Sequence, residues 1–573
     1  MTGEPRQAPF RMAERLFAEL AAGGGSPEAV GFLERGERAR RLLLLRTLLD
    51  GLGPVPTPLS SASEAWRVLK DAAERAPGPV DGLLLAPATG GWIAHLLRRL
   101  HGSAEGPPLW AEAGYLCSLA ISAALLAGTE ADLLVPLTDG ALRLPGLGMA
   151  RLAGGESGVS VGRARAGRGE LTLECGTAEV PSTPAPLTIR PATAPLTGTG
   201  SHRTAPAPSW LPLRTLTHFT PSGPVAIPLD DLDPYRDLDD PLPPTRLDHA
   251  EAEAWQRLFE EAAVVLGESG GTGPGRLDPA RIRAVVPFGR TSIQPPASPT
   301  VQVSASSGDA FGAMVIARPS SAFALAETLV HEFQHSKLAA LLHLFPLIDD
   351  DREERYYAPW RADPRHLTGL LHGAYAFTGV AGFWRDRLSS APDAGAAETA
   401  GYHFALRRLQ SRLVVRTLLT SGRLTLQGRA LVTGLARTLD GWLRESVPPA
   451  ALRRARTAAA LHRTEWRLRN VVPTPGSAYP AEGPRLRPDR TTWPDVRTHV
   501  FATRPPAPHT ADEHLAAGDP AGALSRYTDA LAADPAEPHA LAGWMVARAT
   551  LHPGRTARHM LARPELLQPL PSS

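Results

Sequence analysis

The stretch PSSAFALAETLVHEFQHSKLAALLHLFP, residues 319–346, contains the pattern from which the rest of the sequence can be interpreted. The serines near its start and Pro346 at its end are helix start and stop signals, and good helix formers lie between them. The sequence therefore predicts one long helix. His331 and His335 are four residues apart, so their imidazoles project from one face of that helix, one turn apart.

This pair of imidazoles has the spacing at which both can bind a single divalent ion. Glu332 projects about 100 degrees away, where it can contact a metal-bound water rather than the metal itself. Leu329 and Phe333 make the surroundings apolar, and an imidazole pair without a ligand would be costly there. We therefore predict a metal site with His331 and His335 as ligands and Glu332 as a catalytic residue, and a third ligand from another element.

The five-residue pattern leaves the chemistry open. A zinc peptidase would use Glu332 as the general base to a zinc-bound water. Imidazole ligands suit iron equally well, and an open site with three protein ligands also serves non-haem Fe(II) oxygenases. In a third reading the metal is structural, with all four positions closed by protein ligands, and the protein only binds partners.

Four runs carry a resemblance that covers most of the chain from Asp248 to Asn470. They are DAFGAMVIARP (309–319), LAETLVHEFQHSKLAALLHLFPL (325–347), YYAPWRADPRHLTGLLHGAYAFTGVAGFW (356–384) and HRTEWRLRN (462–470). Together they resemble the bacterial family of HExxH-type peptide β-hydroxylases, whose members accompany gene clusters for ribosomally made, post-translationally modified peptides.

The resemblance implies an Fe(II)- and 2-oxoglutarate-dependent enzyme that inserts oxygen at a side-chain β-carbon of a precursor peptide. It implies that peptide as the substrate, and a radical SAM or other peptide-maturation enzyme as a partner. On this interpretation Glu332 orients a ligand or a metal-bound water instead of acting as a hydrolytic base. Zinc remains the alternative metal, in a peptidase that acts on a leader peptide.

His372 is the preferred third ligand. It lies in an apolar stretch on a second predicted helix, where Gly369 and Gly373 would let that helix approach the metal helix closely. His366 and His343 are weaker competitors. A carboxylate from the acidic run at 349–354, or from Asp363, would instead complete a two-histidine, one-carboxylate triad, so both arrangements remain open.

A 2-oxoglutarate site also needs a cation for the distal carboxylate, for which the planar fork of arginine is best suited. Arg361 and Arg365 lie between the two proposed ligand helices. Lys337, one of two lysines in the chain, follows His335 by two residues and is a further anion-contact candidate.

Another predicted helix carries His462, Trp466 and Arg469 at positions i, i+4 and i+7. This spacing places an aromatic ring and a charge on one face, where they could line a peptide cleft. A packed helix with solvated arginines is the alternative.

The hydrophobic periodicity and the positions of glycine and proline predict a mainly α-helical, multi-domain protein with a β-rich insertion. We expect a helical N-terminal region at 1–142, a β-rich and Pro-rich insertion at 143–240 and a helical metal-binding catalytic domain at 241–470. A Pro-rich linker at 471–510 would then lead to a C-terminal cap at 511–573, which resembles one tetratricopeptide helix pair.

Composition narrows the partners and the compartment. The formal net charge is +2, and basic residues are spread through the chain, which argues against a nucleic-acid or anionic-membrane partner. Cys117 and Cys175 are the only cysteines, which fits a reducing compartment. The most apolar stretch, 115–128, is shorter than the roughly 20 residues of a membrane span and is expected to be a buried helix. We therefore expect a cytoplasmic protein.

Overall fold

A computed structural model describes residues 11–155, 157–176, 186–191, 209–220, 223–238, 240–268, 271–289, 304–349, 352–473, 485–488, 493–494 and 498–567. The chain divides into two compact units. The motif unit, which contains the His331–His335 pair, comprises Val30–Gly270 and Leu277–Leu344. The helical unit comprises Met1–Ala29, Gly271–Arg276 and Phe345–Ser573.

Helices fill the first part of the chain. Helix α1 belongs to the helical unit, and the helices after it build the start of the motif unit. Their bounds are α1 (Glu14–Ala21), α2 (Pro27–Leu52), α3 (Ala62–Arg75), α4 (Pro77–Leu85), α5 (Pro87–Leu100), α6 (Leu109–Ala113) and α7 (Tyr115–Ala127). Ser61 and Glu64 form a reciprocal capping box at the start of α3. Gly128, in the left-handed conformation at φ 67°, ends α7.

Antiparallel strands follow directly and form a sheet in the order β6-β5-β4-β1-β2-β3-β7. The strands are β1 (Ala131–Thr138), β2 (Ala141–Leu144), β3 (Gly148–Arg151), β4 (Val159–Gly167), β5 (Glu170–Cys175), β6 (Leu187–Ile189) and β7 (Trp210–Pro212). Alternate residues of β1, such as Leu133 and Val135, are buried in one cluster with Leu119 and Ile121 of α7. The sheet therefore covers the apolar helix on one side.

A second sheet, in the order β11-β12-β10-β9-β8, lies in the motif unit beside α8 and α9. Its central neighbours β12, β10 and β9 pair in parallel, and its outer pairs are antiparallel. The elements are β8 (Arg214–Thr220), β9 (Gly223–Leu229), α8 (His249–Gly267), β10 (Ala284–Pro287), β11 (Ser304–Ala305), β12 (Ala313–Ile316) and α9 (Ala322–Leu344).

The helical unit contains the rest of the helices: α10 (Leu367–Ser389), α11 (Ala394–Thr420), α12 (Leu426–Trp442), α13 (Pro449–Asn470), α14 (Ala511–Ala517), α15 (Pro520–Ala533), α16 (Pro538–Leu551) and α17 (Arg555–Ala562). Helices α10 and α11 form a closely packed hairpin. The Tyr375 hydroxyl donates to the Leu20 carbonyl oxygen at 2.9 Å and joins α1 to α10.

The C-terminal helices pack on α13 through an apolar cluster and a polar network. The imidazole of His539 on α16 lies between two carboxylates, with Nδ1 2.8 Å from Glu465 of α13 and Nε2 3.0 Å from Asp512 of α14. Arg467 donates to both carboxylate oxygens of Glu565, at 2.9 and 2.7 Å. These buried ion pairs fix the C-terminal helices to α13.

The mainly helical architecture with a β-rich part is as the sequence predicts. The helices of the N-terminal region end at Ala127, so β1 lies inside the stretch that was expected to be helical and β2 crosses its end at 142. The physical reason is the alternation in ADLLVPLT (131–138), which suits a half-buried strand. Much of the predicted linker at 471–510 lies outside the described residues.

The apolar stretch is buried as predicted. Among the described residues, Leu109–Ala127 is one helical stretch long and apolar enough to cross a membrane, and 72% of its most apolar window is buried inside the protein. Such burial is typical of the core helix of a soluble protein.

Candidate metal centre

Helix α9 has the start and end that the sequence predicts. The backbone N–H of Ala324 donates to the Ser321 hydroxyl at 3.3 Å, which caps the helix, and α9 ends at Leu344, two residues before Pro346. The helix packs against α8, β11 and β12. In its middle, the Gly312 N–H donates to the Ser336 hydroxyl at 3.3 Å.

The imidazoles of His331 and His335 converge on one point. Their Nε2 atoms lie 3.1 Å apart and their ring centroids 4.7 Å apart, and both side chains are half-buried. A single divalent ion at about 2.0 to 2.1 Å from each nitrogen matches this convergence. The structure therefore confirms the predicted common face of the two histidines.

Glu332 lies beside them, but it points into the protein. Its side chain is 1% exposed, and its Oε2 atom has no hydrogen-bond partner among the described residues. Burial raises the pKa of this carboxyl group, and the hydroxyls of Ser304 and Ser306 oppose the shift. A buried carboxyl oxygen without a protein partner fits a role toward a metal-bound water or ligand.

Lys337, one turn further along α9, is 4% exposed. Burial lowers the pKa of its ammonium group to about 7. Lys337 is thus a buried residue of α9, and its role as an anion contact stays a prediction.

His343, one of the competing third ligands, has a structural partner. Its Nδ1 atom lies 2.6 Å from Oε1 of Glu37, a side chain that is 1% exposed. This pair connects the end of α9 to α2 within the motif unit. The imidazole of His343 is thus explained without a metal.

His372 lies on α10, in the helical unit, and is half-buried. Burial, with a smaller effect from the neighbouring His366, lowers the pKa of His372 to about 4. Its imidazole is therefore neutral at neutral pH, which is the form that binds metals. His366 itself caps α10, because its Nδ1 accepts from the Gly369 N–H at 3.1 Å.

Gly373 has a role different from the predicted one. A Cβ atom there would lie 2.0 Å from Cζ2 of Trp360, so the glycine makes room for the indole ring of Trp360. The close approach that this glycine permits is thus explained within the helical unit.

Arg361 and Arg365 share one carboxylate. Nε of Arg361 donates to Asp363 at 2.7 Å, and NH1 of Arg365 donates to its other oxygen at 3.3 Å. Burial of Asp363 would raise its pKa, but the hydrogen bond and charge of Arg361, with a smaller effect of Arg365, lower it. Asp363 is thereby occupied by two cations, and either arginine would have to exchange it for a 2-oxoglutarate carboxylate.

The predicted face of α13 lines a cavity of about 30 Å³ in the helical unit. His462, Trp466 and Arg469 contribute to its wall, as do Glu465 and His539. The side chain of Arg469 is only 14% exposed, and its Nε donates to Glu465 at 2.7 Å. The common face is confirmed, and a peptide role for it stays a prediction.

A third metal ligand is not identified by side-chain proximity. Within the described parts of the chain, no group of three His, Cys, Asp or Glu side chains is arranged to hold a metal. Asp350 and Asp351 of the acidic run lie outside the described residues. The two converging imidazoles are donors of the kind that a divalent iron or zinc ion binds.

Sequence reasoning missed the residues that surround these positions. Ser304 and Ser306 reach Glu332 from β11 and its flanking loop, and the Tyr357 hydroxyl lies 2.8 Å from Nδ1 of His462. Both contacts join segments far apart in the chain, so no local spacing predicts them.

No protein-family model matches the chain, and no curated protein matches it.

Proposed function

We propose that this protein is an Fe(II)- and 2-oxoglutarate-dependent dioxygenase that hydroxylates the β-carbon of a residue in a ribosomally synthesised precursor peptide. The observation that carries the proposal is the convergence of His331 and His335 on α9 beside the buried Glu332. The resemblance of the four runs to the peptide β-hydroxylase family selects oxidation over hydrolysis.

In this proposal His331 and His335 would hold the iron through Nε2, and His372 stays the sequence-based candidate for the third protein ligand. When bound, iron would allow one O2 to be shared between 2-oxoglutarate, which would leave as succinate and CO2, and the peptide, in which a C–H bond would become C–OH. Glu332 is hydrogen-bonded by the Ser304 side chain and positioned by α9. It would fix the position of a ligand or a metal-bound water. Arg361, Arg365 or Lys337 would neutralise the distal carboxylate of 2-oxoglutarate.

The substrate is a precursor peptide, with a radical SAM or other maturation enzyme as a further partner. The C-terminal helices α14–α16 would act as a tetratricopeptide-like cap on α13, whose inner side is the cavity at His462 and Trp466. We place the protein in the cytoplasm, where the precursor peptide is made.

In the decisive experiment the purified protein is incubated with Fe(II), 2-oxoglutarate, oxygen and a precursor peptide that is encoded near the gene of this protein. We expect the peptide to gain one oxygen atom, and succinate to be released in equal amount. The Glu332→Gln variant keeps the shape of the side chain and should retain iron but lose turnover. Turnover of the peptide without 2-oxoglutarate would contradict the proposal.

A zinc peptidase is the second candidate, favoured by the raised pKa of Glu332, which suits a general base. In that case zinc alone should support cleavage of the peptide backbone, and adding 2-oxoglutarate should have no effect. Mass spectrometry separates the two functions, since cleavage shortens the peptide while hydroxylation leaves its length unchanged.

A further inference from the structure

Helix α9 has a second face, about 100 degrees around the helix from the two histidines. Glu332, Ser336, Ala339 and His343 lie on it, at positions i, i+4, i+7 and i+11. From Glu332 to His343 the face extends for three turns, about 16 Å at 1.5 Å per residue. One short segment of the motif unit, residues 304–312, contacts all four residues, and we call it the serine loop.

The serine loop includes β11, leads to β12 and starts at the buried carboxyl group of α9. The Ser304 hydroxyl hydrogen-bonds the carboxyl group of Glu332, and the Ser306 hydroxyl lies close to the same group. Glu332 is 1% exposed, so bulk solvent does not compete with these hydroxyls. The orientation of the carboxyl group therefore depends on where the serine loop lies.

The rest of the serine loop runs out along α9 and returns. A Cβ atom at Gly308 would lie 3.6 Å from Cβ of Ala339 and 3.8 Å from the ring of His343, so the loop passes directly over both residues. On the way back, the Gly312 N–H donates to the Ser336 hydroxyl at 3.3 Å. One hydrogen bond and a few van der Waals contacts hold such a loop only weakly, so its place depends on further contacts.

The outer end of the serine loop is held from α2. NH2 of Arg40 donates to Oδ1 of Asp309 at 2.7 Å, and NH2 of Arg41 donates to the Asp309 carbonyl oxygen at 3.4 Å. A Cβ atom at Gly90 of α5 would lie 2.0 Å from the same carbonyl oxygen, so the loop packs directly on the backbone of α5. Asp309 is thus held through its side chain and through its backbone.

Arg40 also connects this end of the loop back to α9. Its NH1 lies 3.7 Å from Oε2 of Glu37, and Oε1 of Glu37 lies 2.6 Å from Nδ1 of His343. The contacts therefore form a closed ring that leaves α9 at Glu332, passes through the serine loop and α2, and returns to α9 at His343. The serine loop cannot shift along α9 unless one of these contacts opens.

We propose that Asp309 and Arg40 are positioning residues that fix the serine loop on α9 and thereby orient the carboxyl group of Glu332. The inference rests on the proposed function, because it assigns a support to the carboxyl group that the proposed function uses. The side chains of Arg40 and Asp309 are 27% and 33% exposed, and ion pairs with this exposure contribute little to global stability. Asp309→Asn should therefore fold, and its effect should appear in the loop and in turnover.

The first measurement is hydrogen–deuterium exchange of the metal-free, full-length protein. Asp309→Asn should raise the exchange of residues 304–312 about fivefold, because their outer attachment is lost. The matched control is Asp81→Asn, which removes another ion pair of α2, from Arg38 to Asp81 at 2.8 Å, and should leave the exchange of residues 304–312 unchanged. Unchanged exchange in Asp309→Asn would overturn the proposal. This measurement needs neither metal nor substrate, so its outcome is independent of the proposed function.

The second measurement is turnover in the hydroxylation assay. Asp309→Asn should lower kcat at least about tenfold and change the KM for the peptide less than about twofold, because a displaced carboxyl group affects the reacting complex more than substrate capture. Arg40→Lys keeps a cation and should retain part of the turnover, and Asp81→Asn should retain all of it. Equal kcat losses in Asp309→Asn and Asp81→Asn would overturn the positioning role.

A double-variant comparison separates positioning from a general structural role. In a protein that carries Ser304→Ala and Ser306→Ala, adding Asp309→Asn should have no further effect on kcat, because the loop no longer has a hydroxyl to place. A further loss as large as that in the wild-type background would show that Asp309 acts independently of the serines and would refute the proposal. If the wild-type protein does not hydroxylate the peptide, the proposed function fails, and the exchange measurement decides this inference.

Discussion

The ion network at His539 should make the attachment of the C-terminal helices depend on pH. Burial alone would lower the pKa of His539, but its hydrogen bonds to Asp512 and Glu465 outweigh this effect and raise the pKa from 6.5 to about 9. A raised folded-state pKa stabilises the fold fully below about pH 6.5, and this contribution is lost as the pH rises through about 9.

The size of the effect follows from the two pKa values. The difference between 6.5 and about 9 corresponds to about 3 kcal/mol of stability when the imidazole is fully protonated. The side chain is 10% exposed, so solvent screening reduces this value little. Glu465 matters at low pH. Burial would raise its pKa, but His539 and Arg469 lower it to about 2, so its contribution to stability is lost only in strong acid.

The perturbation is His539→Gln, which keeps a polar side chain but removes the charge. Hydrogen–deuterium exchange of residues 511–551 is measured between pH 6 and pH 9.5 and corrected for the intrinsic exchange rate. In the wild-type protein the local opening free energy should fall by about 3 kcal/mol over this range, whereas in the variant it should stay flat. His552→Gln, an exposed histidine at the end of α16, is the control and should follow the wild type. The same pH dependence in His539→Gln and the wild type would refute the assignment.

The remaining predictions concern the metal site and its support. His331→Ala or His335→Ala should abolish metal binding in a folded protein, because each removes one of few ligands. Metal analysis after anaerobic reconstitution checks this. Wild-type metal stoichiometry in both variants would refute the metal site on α9. His372→Ala should lower the metal affinity at least about tenfold if His372 is the third ligand. A metal-bound structure in which a carboxylate is the third ligand would refute the assignment of His372. Removal of residues 511–573 should lower the melting temperature, because Arg467 loses its buried partner Glu565, and metal binding should persist. Complete loss of metal from a folded truncation would show that the predicted domain boundary at 510 is wrong.

The sequence was most informative where a local pattern decides the structure. The serines and Pro346 gave the limits of α9, and the spacing of His331 and His335 gave their common face, because helix geometry alone converts a separation of four residues into proximity. The burial of the stretch at 115–128 followed from its composition in the same way.

Long-range contacts could not be predicted in this way. Ser304 beside Glu332 and Tyr357 beside His462 depend on how distant segments pack, and one sequence contains no signal for such pairing. Gly373 was predicted to let α10 approach the metal helix, but the group packed against it is the indole of Trp360, a neighbour that only the three-dimensional structure reveals.

The anchoring of α9 has a consequence for the thermodynamics of metal capture. The helix is capped by Ser321 at its start, held at Ser336 by the Gly312 N–H and joined to α2 by His343 and Glu37 at its end. Because the backbone of α9 is already fixed along its length, a metal that binds there has to order side chains and not the helix, which costs far less conformational entropy than folding a loop around an ion. Metal uptake should therefore leave the far-ultraviolet circular dichroism of the protein unchanged and proceed without the slow phase that coupled folding and binding would add.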